Sequence, residues 1–349
     1  MNRPLRTLVF TLFLALISNA ATAADKLEKT KLVLAVGGKN ALYYLPLTIA
    51  EQLGYFRDEG LEVEINDFPG GAKALQSLVG GSADVVSGAF EHTITMQTLA
   101  QKIQAFVLQG INPGLELGIA KHRLADYSWP KDLKGWTVGV SAPGSSTQML
   151  LNHLLASVGL KPDDVTVIGV GTGATAVAAV RSGQLDAISN VEPVMSLLER
   201  SGDIKIVVET ITDKGVRSVF GGVMPAATLY AKLAFIETNP HTVQALANAM
   251  VRALKWLTTA TEQDVARTVP EEYLLGDRDL YIAAFHRLRS SYSPDGLISE
   301  KMVDNAYKVL QAHNAAVRRA PVLHLKQTYT NKFAEAAGKL GGLPASAPR

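Results

Sequence analysis

The sequence predicts an α/β protein of two similar lobes, each a sheet flanked by helices, with a ligand cleft between them. Three observations carry this reading. An apolar run, a glycine loop, an amphipathic helix and an alternating run follow one another from Leu32 to Ile65. The pattern starts again at Trp136, and its landmarks recur 102 positions on: Gly71-Ala72 matches Gly173-Ala174, and Asp84-Val85 matches Asp186-Ala187. Polar, glycine-rich loops fall where the strands end, the place at which open α/β sheets bind ligands.

Each element has its own signal. Leu32 to Val36 is short, partly β-branched and stopped by Gly37-Gly38, so it reads as a buried strand. Leu45, Ile49, Ala50, Leu53 and Phe56 share one helix face, and Pro46 suits a first turn. Glu62-Val63-Glu64-Ile65 alternates, as a strand with one packed face does. After Phe68-Pro69-Gly70-Gly71, a short helix through Ala72, Leu75, Leu78 and Val79 ends at Gly80-Gly81. Asp84 to Ser87 is a third strand, followed by Gly88 to His92, a helix from Thr93 to Ala100, and strands Gln104–Leu108 and Leu115–Ala120.

In the second run, Trp136 to Val140 is a strand with the loop Ala142 to Ser146 behind it. Met149, Leu150, His153, Leu154 and Val158 mark a helix face, and Val165 to Ile168 is the next strand. Gly169 to Gly173 then leads to an alanine-rich helix, and Ala187 to Ser189 to the loop Asn190–Pro193. Further on, a strand at Lys205–Val208 and an apolar run into Tyr230 precede a long helix, Thr242 to Thr258. Shorter helices follow near 278–289, 300–312 and 327–339.

Length and composition bound the function. A chain of 349 residues favours two domains, and 47% hydrophobic against 19% charged residues excludes wholesale disorder. Arg3 and Arg6 precede the apolar stretch Leu8–Ile17, and Ala21-Thr22-Ala23 has the small residues of a signal-peptidase site. A signal peptide over 1–24, cleaved near Ala23 or Ala24, implies an exported, periplasmic, soluble protein; the stretch is too short to span a bilayer. The tail 341–349 reads as disordered. Loss of 1–24 takes the net charge from +2 to zero, and no basic block points to nucleic acid. The absence of cysteine excludes disulfides, thiolate metal sites, a cysteine nucleophile and a lipid-modified cysteine.

Catalytic motifs are absent too. There is no G-x-S-x-G elbow, no H-E-x-x-H and no P-loop lysine, and Gly169, Gly171 and Gly173 lack the dinucleotide spacing. His92 has no second ligand at metal spacing and reads as a loop histidine. No enzyme, cofactor or metal is expected.

Glu51 to Ile65, the Ser82-Ala83-Asp84-Val85 stretch, Asp132 to Val140 and the serine-rich loop after it resemble a known family. It is that of the periplasmic substrate-binding proteins of ABC importers for nitrate, sulfonate and taurine, which share a fold with thiamine-pyrimidine binders. The likeness runs in order from about residue 30 to 260. It implies a type II-like two-lobed binding protein, a monomer that closes on one small solute and presents it to the importer's membrane subunits. A fungal branch makes a pyrimidine precursor with a cysteine-rich motif, which this chain lacks. On this reading lobe 1 comprises 25–117 with 222–340, and lobe 2 comprises 118–221.

The strand-end loops supply the candidate ligand residues. Pro143 to Thr147 is the sharpest loop: Gly144, Ser145 and Ser146 place hydroxyls and free N–H groups at a helix start, where the dipole favours an anion. Ser145 or Ser146 capping its own helix is the plain alternative; the lobe repeat and the resemblance favour ligand contact. Ser141 precedes that loop. Gly38, Lys39 and Asn40 offer close backbone approach, a charge and an amide, although a lysine more often points to solvent. Of Tyr43 and Tyr44 one is expected in the core and the other, taken as Tyr43, in the pocket. Phe68, Gly70, Gly71 and Phe90 complete the first lobe's set, with the two phenylalanines more often core than platform. Glu91 and Glu192 correspond between the lobes and suit either a ligand amine or a helix dipole, and Gly171, Thr172 and Asn190 complete the second lobe's set.

Overall fold

The computed structural model describes residues 26–340; the expected signal peptide with its cleavage point and the 341–349 tail lie outside the described residues. The chain opens with β1 (Lys31–Val36), a 3-10 turn at Leu42–Tyr44, α1 (Leu45–Gln52), α2 (Tyr55–Asp58), β2 (Glu62–Asp67), α3 (Gly71–Gly80), β3 (Val85–Ala89), α4 (Glu91–Thr95) and β4 (Ile103–Leu108). It then runs through β5 (Glu116–Ala120), β6 (Thr137–Val140), α5 (Ser146–Ser157), β7 (Thr166–Gly169), α6 (Ala174–Arg181), β8 (Ala187–Asn190), α7 (Val194–Arg200), β9 (Ile204–Glu209) and α8 (Asp213–Phe220). After β10 (Ala227–Lys232) come the helices α9 (Leu233–Thr238), α10 (Pro240–Thr259), α11 (Glu262–Thr268), α12 (Arg278–Leu288), α13 (Glu300–His313), α14 (Ala315–Arg319) and α15 (Lys332–Leu340).

These strands form two five-stranded sheets of the same plan, ordered β2-β1-β3-β10-β4 and β7-β6-β8-β5-β9. In each, four strands run the same way and one inserted strand runs against them: β10 between β3 and β4, and β5 between β8 and β9. The chain therefore crosses into the second sheet just ahead of Glu116 and returns to the first just ahead of Ala227. β1 and β3 are buried on both faces, as parallel strands with helices on either side must be.

The repeat seen in the sequence has a physical basis in its two aspartates. Asp84 Oδ2 accepts from Val33 N–H at 3.0 Å and pairs with Lys29, while its own N–H donates to Val33 O. Asp186 Oδ2 accepts from Thr137 N–H at 2.8 Å and pairs with Arg123, while its own N–H donates to Thr137 O. Each carboxylate satisfies the amide one residue ahead of the first pair in the parallel ladder, β1 with β3 and β6 with β8.

The long helix α10 is the spine behind the first sheet. Val243, Leu246, Ala247, Met250, Leu254 and Leu257 are all buried, against α1, α2, β4 and α15. Burying these side chains stabilises by roughly 1.5–3 kcal/mol for each large one, which dwarfs any propensity term. The last helix starts at Lys332, later than the periodicity predicts, because Leu325–Gln327 makes a 3-10 turn and Tyr329 bridges to Ala105 of β4. The helix expected over Thr93–Ala100 is split: α4 stops at Thr95 and a 3-10 turn carries the chain to Ala100, at φ +56°.

Candidate functional site

The C-terminal ends of the parallel strands of both sheets face each other, and the loops between them form a cleft. On the first side, β1 gives way to Gly37-Gly38, and Asp67 Oδ1 holds that loop by accepting from Gly38 N–H and Lys39 N–H at 2.9 and 2.8 Å. The Leu42–Tyr44 turn then sets Tyr43 and Tyr44 edge to face, 4.8 Å between ring centroids. On the second side β6 ends at Ser141, and α5 begins with Ser145 at its N-cap.

Ser145 decides between its two readings. Its side chain makes no bond to its own helix. Instead Oγ accepts from Ala72 N–H across the cleft at 2.9 Å. Two more contacts join the sides: Asn40 Nδ2 donates to Thr172 O at 3.0 Å, and Thr172 Oγ1 donates to Asn40 Oδ1 at 3.1 Å. Glycines make this approach possible. A Cβ on Gly70 would lie 2.7 Å from that of Ala142 and one on Gly38 would collide with Thr172 Oγ1, whereas one on Gly71 would make only ordinary contacts, 3.4 Å from the Tyr44 hydroxyl, 3.5 Å from His92 Cε1 and 4.0 Å from Ser145 Oγ.

The space left between the two sides is about 20 Å³, bordered by Ala41, Tyr43, Tyr44, Gly71, Ser145 and Thr172 among others. That is room for about one water. The lining is hydroxyl-rich and uncharged. Burial raises the phenols of Tyr43 and Tyr44, with the nearby Glu91 adding to the effect. The amides of Ser146 and Thr147, the first two of α5, have no partner inside the helix, and both residues border this space.

Most of the expected residues meet here: Gly38, Asn40, Tyr43, Gly70, Gly71, Ser141, Gly144, Ser145, Ser146, Gly171 and Thr172. Six do not. Lys39 is ion-paired with Glu51 at 2.6 Å and leaves the cleft uncharged. Phe90 is wholly core, and Phe68 is half-buried at the core's edge. Asn190 is scaffolding, its amide donating to Gly171 O and its oxygen accepting from Val191 N–H. Glu192 turns away to Arg287 and Ser196. Glu91 lies buried near the tyrosines, one carboxylate oxygen without a partner among the described residues.

Other residues were missed. Tyr44 shares the pocket with Tyr43, since a 3-10 turn spreads neighbours around its axis. His92, expected in a loop, lies on α4, buried, with Nδ1 3.0 Å from the Tyr230 hydroxyl; burial lowers its pKa. Asp67 alternates into the loop at the end of β2, and its role was legible only in three dimensions. Among the described residues no group of three or more His, Cys, Asp or Glu side chains could hold a metal ion, and no helix is long and apolar enough to cross a membrane.

Comparison with known proteins adds to the geometry. A family described as NMT1/THI5 like matches residues 41–263. A solved protein structure from Bordetella bronchiseptica RB50 is 52% identical, with a TM-score of 0.88, covering 91% of this chain and all of that one. YtlA of Bacillus subtilis (strain 168), whose name assigns it provisionally to the binding proteins, is 27% identical over 309 residues, 86% of this chain and 89% of its own. The alkanesulfonate-binding protein SsuA of Xanthomonas axonopodis pv. citri, solved with MOPS bound, has a TM-score of 0.67 at 19% identity, over 88% of this chain and 100% of that one. The fold is thus the periplasmic binding protein fold. A 4-amino-5-hydroxymethyl-2-methylpyrimidine phosphate synthase of Schizosaccharomyces pombe is 28% identical over 153 residues, 43% of this chain and 42% of its own.

Proposed function

The chain belongs to the NMT1/THI5-like family, and on that premise we propose that it is the solute-binding component of an ABC importer, acting in the periplasm as a monomer. It would capture a small anion of the sulfonate, taurine or nitrate kind by closing two lobes, roughly 25–117 with 222–340 and 118–221. The observation that carries this reading is the convergence of the Tyr44 hydroxyl, Ser145 Oγ and the start of α5 on the gap at Gly71. Neutral donors and a helix N-terminus suit an anion that must also be released, because neither binds it as tightly as a buried cation. SsuA, which has the same fold, binds alkanesulfonates, and the signal-like N-terminus supports export.

A second reading is a pyrimidine or aromatic carboxylate stacked on Tyr43 and Tyr44, favoured by their edge-to-face pairing in the cavity and by the pyrimidine phosphate synthase among the relatives. An exported enzyme on the same fold would betray itself by steady turnover of the bound compound.

The test is a thermal-shift panel of alkanesulfonates, taurine, nitrate, bicarbonate, aromatic carboxylates and pyrimidines on protein refolded to strip carried ligand. A solute at about 100 times its Kd adds roughly 2.7 kcal/mol, a shift of several degrees in a chain of this size. The S145A/S146A double variant is expected to abolish the shift for an anion and only to reduce it for a neutral ring. An anion shift that survives both substitutions sinks the helix-start reading.

A further inference from the structure

Near the end of α12, Arg287 reaches the second sheet. Nη2 donates to Glu116 Oε1 at 2.8 Å, while Nη1 pairs with Glu192 Oε1 and donates to Ser196 Oγ at 2.9 Å. Both carboxylates are fully buried, and Glu116 Oε2 has no partner among the described residues. Glu116 opens β5, the strand by which the chain enters the second sheet, and Glu192 follows β8 at the cleft end. The start of the same helix is tied down too: Asp277, its N-cap, pairs with Arg200 at the end of α7. Between these two anchors α12 lies against the Leu42–Tyr44 turn of the first side. That turn is gripped in return, for Leu42 N–H donates to Glu192 O at 3.0 Å and the Tyr292 hydroxyl donates to Leu42 O at 2.9 Å.

We infer that Arg287 is an interlobe latch: shared between Glu116 and Glu192, it holds the second lobe against the turn that carries Tyr43 and Tyr44 and sets the balance of open and closed forms. This rests on the reading that the protein works by lobe closure. Arg287's polar partners Glu116, Glu192 and Ser196 do not line the cavity, so it is a positioning residue and acts through Glu192 and Leu42.

The latch has a proton dependence. The charged groups around Glu116 are Arg287 on α12, Glu192 after β8, Glu199 on α7, and Glu209 opposite it on β9. One guanidinium shared by two buried carboxylates leaves a negative charge in excess. Burial first, and Glu192 second, push the Glu116 carboxyl up to about 8 against the pull of Arg287. Opening returns Glu116 to water and to the ordinary carboxylate range. The closed form therefore holds a proton that the open form gives up, and its share falls as pH rises from that range through about 8.

The test needs no solute. The chain has no cysteine, so Lys73→Cys on α3 and Thr175→Cys on α6, both exposed, take spin labels on opposite sides of the cleft. Pulsed electron paramagnetic resonance at acid, neutral and alkaline pH then reads the closed fraction of the full chain. The parent is expected to open as pH rises. Arg287→Gln is expected to lose closed form by about tenfold or more, since removing one member of a buried pair strands the other. Glu116→Gln is expected to stay closed with no pH response. A parent-like distance distribution in Arg287→Gln overturns the latch, as does a pH response kept by Glu116→Gln or a parent that is open at every pH. Should Arg287→Gln fail to fold by circular dichroism, Glu116→Gln/Glu192→Gln/Arg287→Met replaces the charges by neutral groups, and its remaining closed overturns the latch equally. A failed solute panel leaves this result standing, and a failed latch leaves the panel standing.

Discussion

The two sheets are built to one plan, yet they bring different chemistry to the cleft. In the first, the loop after β1 passes into a turn of two tyrosines, and α1 starts with Leu45-Pro46, one hydroxyl-free residue and one without an N–H. In the second, the loop after β6 passes straight into α5 through Ser145, Ser146 and Thr147. The first side thus offers aromatic edges and bare glycine backbone, and the second offers hydroxyls and an open helix start. What the duplicated unit shares is the scaffold that aims its loops; what distinguishes the copies is confined to a few residues past each strand end. Selectivity can change there without cost to either core.

The largest expected effect comes from filling the bare side. Gly70 has extended backbone, φ −175°, which any residue adopts. Gly70→Val therefore acts by its side chain alone, pushed against Ala142 on the facing loop. Such overpacking costs about 3 kcal/mol, so ligand affinity measured by calorimetry should fall by about a hundredfold or more while circular dichroism stays unchanged. The milder Gly70→Ala should lose less, and Ala142→Gly should relieve it only in part, because the backbone of Ala142 and Ser141 stays 3.0 and 3.1 Å from the added Cβ; a Gly70→Val variant that binds like the parent would show that the two sides do not meet as described.

Next in size are the paired aspartates. Asp84→Asn and Asp186→Asn should each cost about 2 kcal/mol in urea denaturation, the worth of a hydrogen bond to a charged group. Burial works against ionisation of Asp186, but the Thr137 amide and Arg123 prevail and hold its carboxyl below the usual range. Its contribution is whole above about pH 4 and is lost as pH falls through the lowered value. An Asp186→Asn variant as stable as the parent at neutral pH would break the equivalence of the two copies.

The smallest effect should come from the aromatic side. Tyr43→Phe keeps the ring and loses a hydroxyl from the cavity that Ser146 also lines, a change of about 1 kcal/mol, or roughly fivefold in Kd for an anion. A much larger loss would mean that the tyrosine hydroxyl meets the solute itself.

How much of this was legible in the sequence follows from the range of each interaction. The strands, the glycine loops and the aspartate repeat are set within a few residues, so period and spacing reveal them. Asp84 and Asp186 were visible as a repeat because the strand–helix–strand unit fixes their place. The fate of a side chain in the cleft depends on what lies across from it. Lys39 looked available until Glu51, late in α1, took its charge. Glu192 looked like a ligand group because nothing near it in sequence announces Arg287, 95 positions away. Ser145 could be a cap or a contact on local grounds alone; only Ala72, 73 positions back, decides it.

The two inserted strands also fix the order in which the molecule can be finished. As the chain is synthesised or exported, β5 through β9 arrive as one continuous stretch, so the second sheet can complete itself. The first cannot, because β3 and β4 are joined only through β10, which comes after the whole of the second sheet. Such distant pairing is slow to form, and until then β3 and β4 stand with unpaired edges, the kind of surface on which partly folded chains associate. A chain halted before residue 227 would hold a finished half beside an unclosed one.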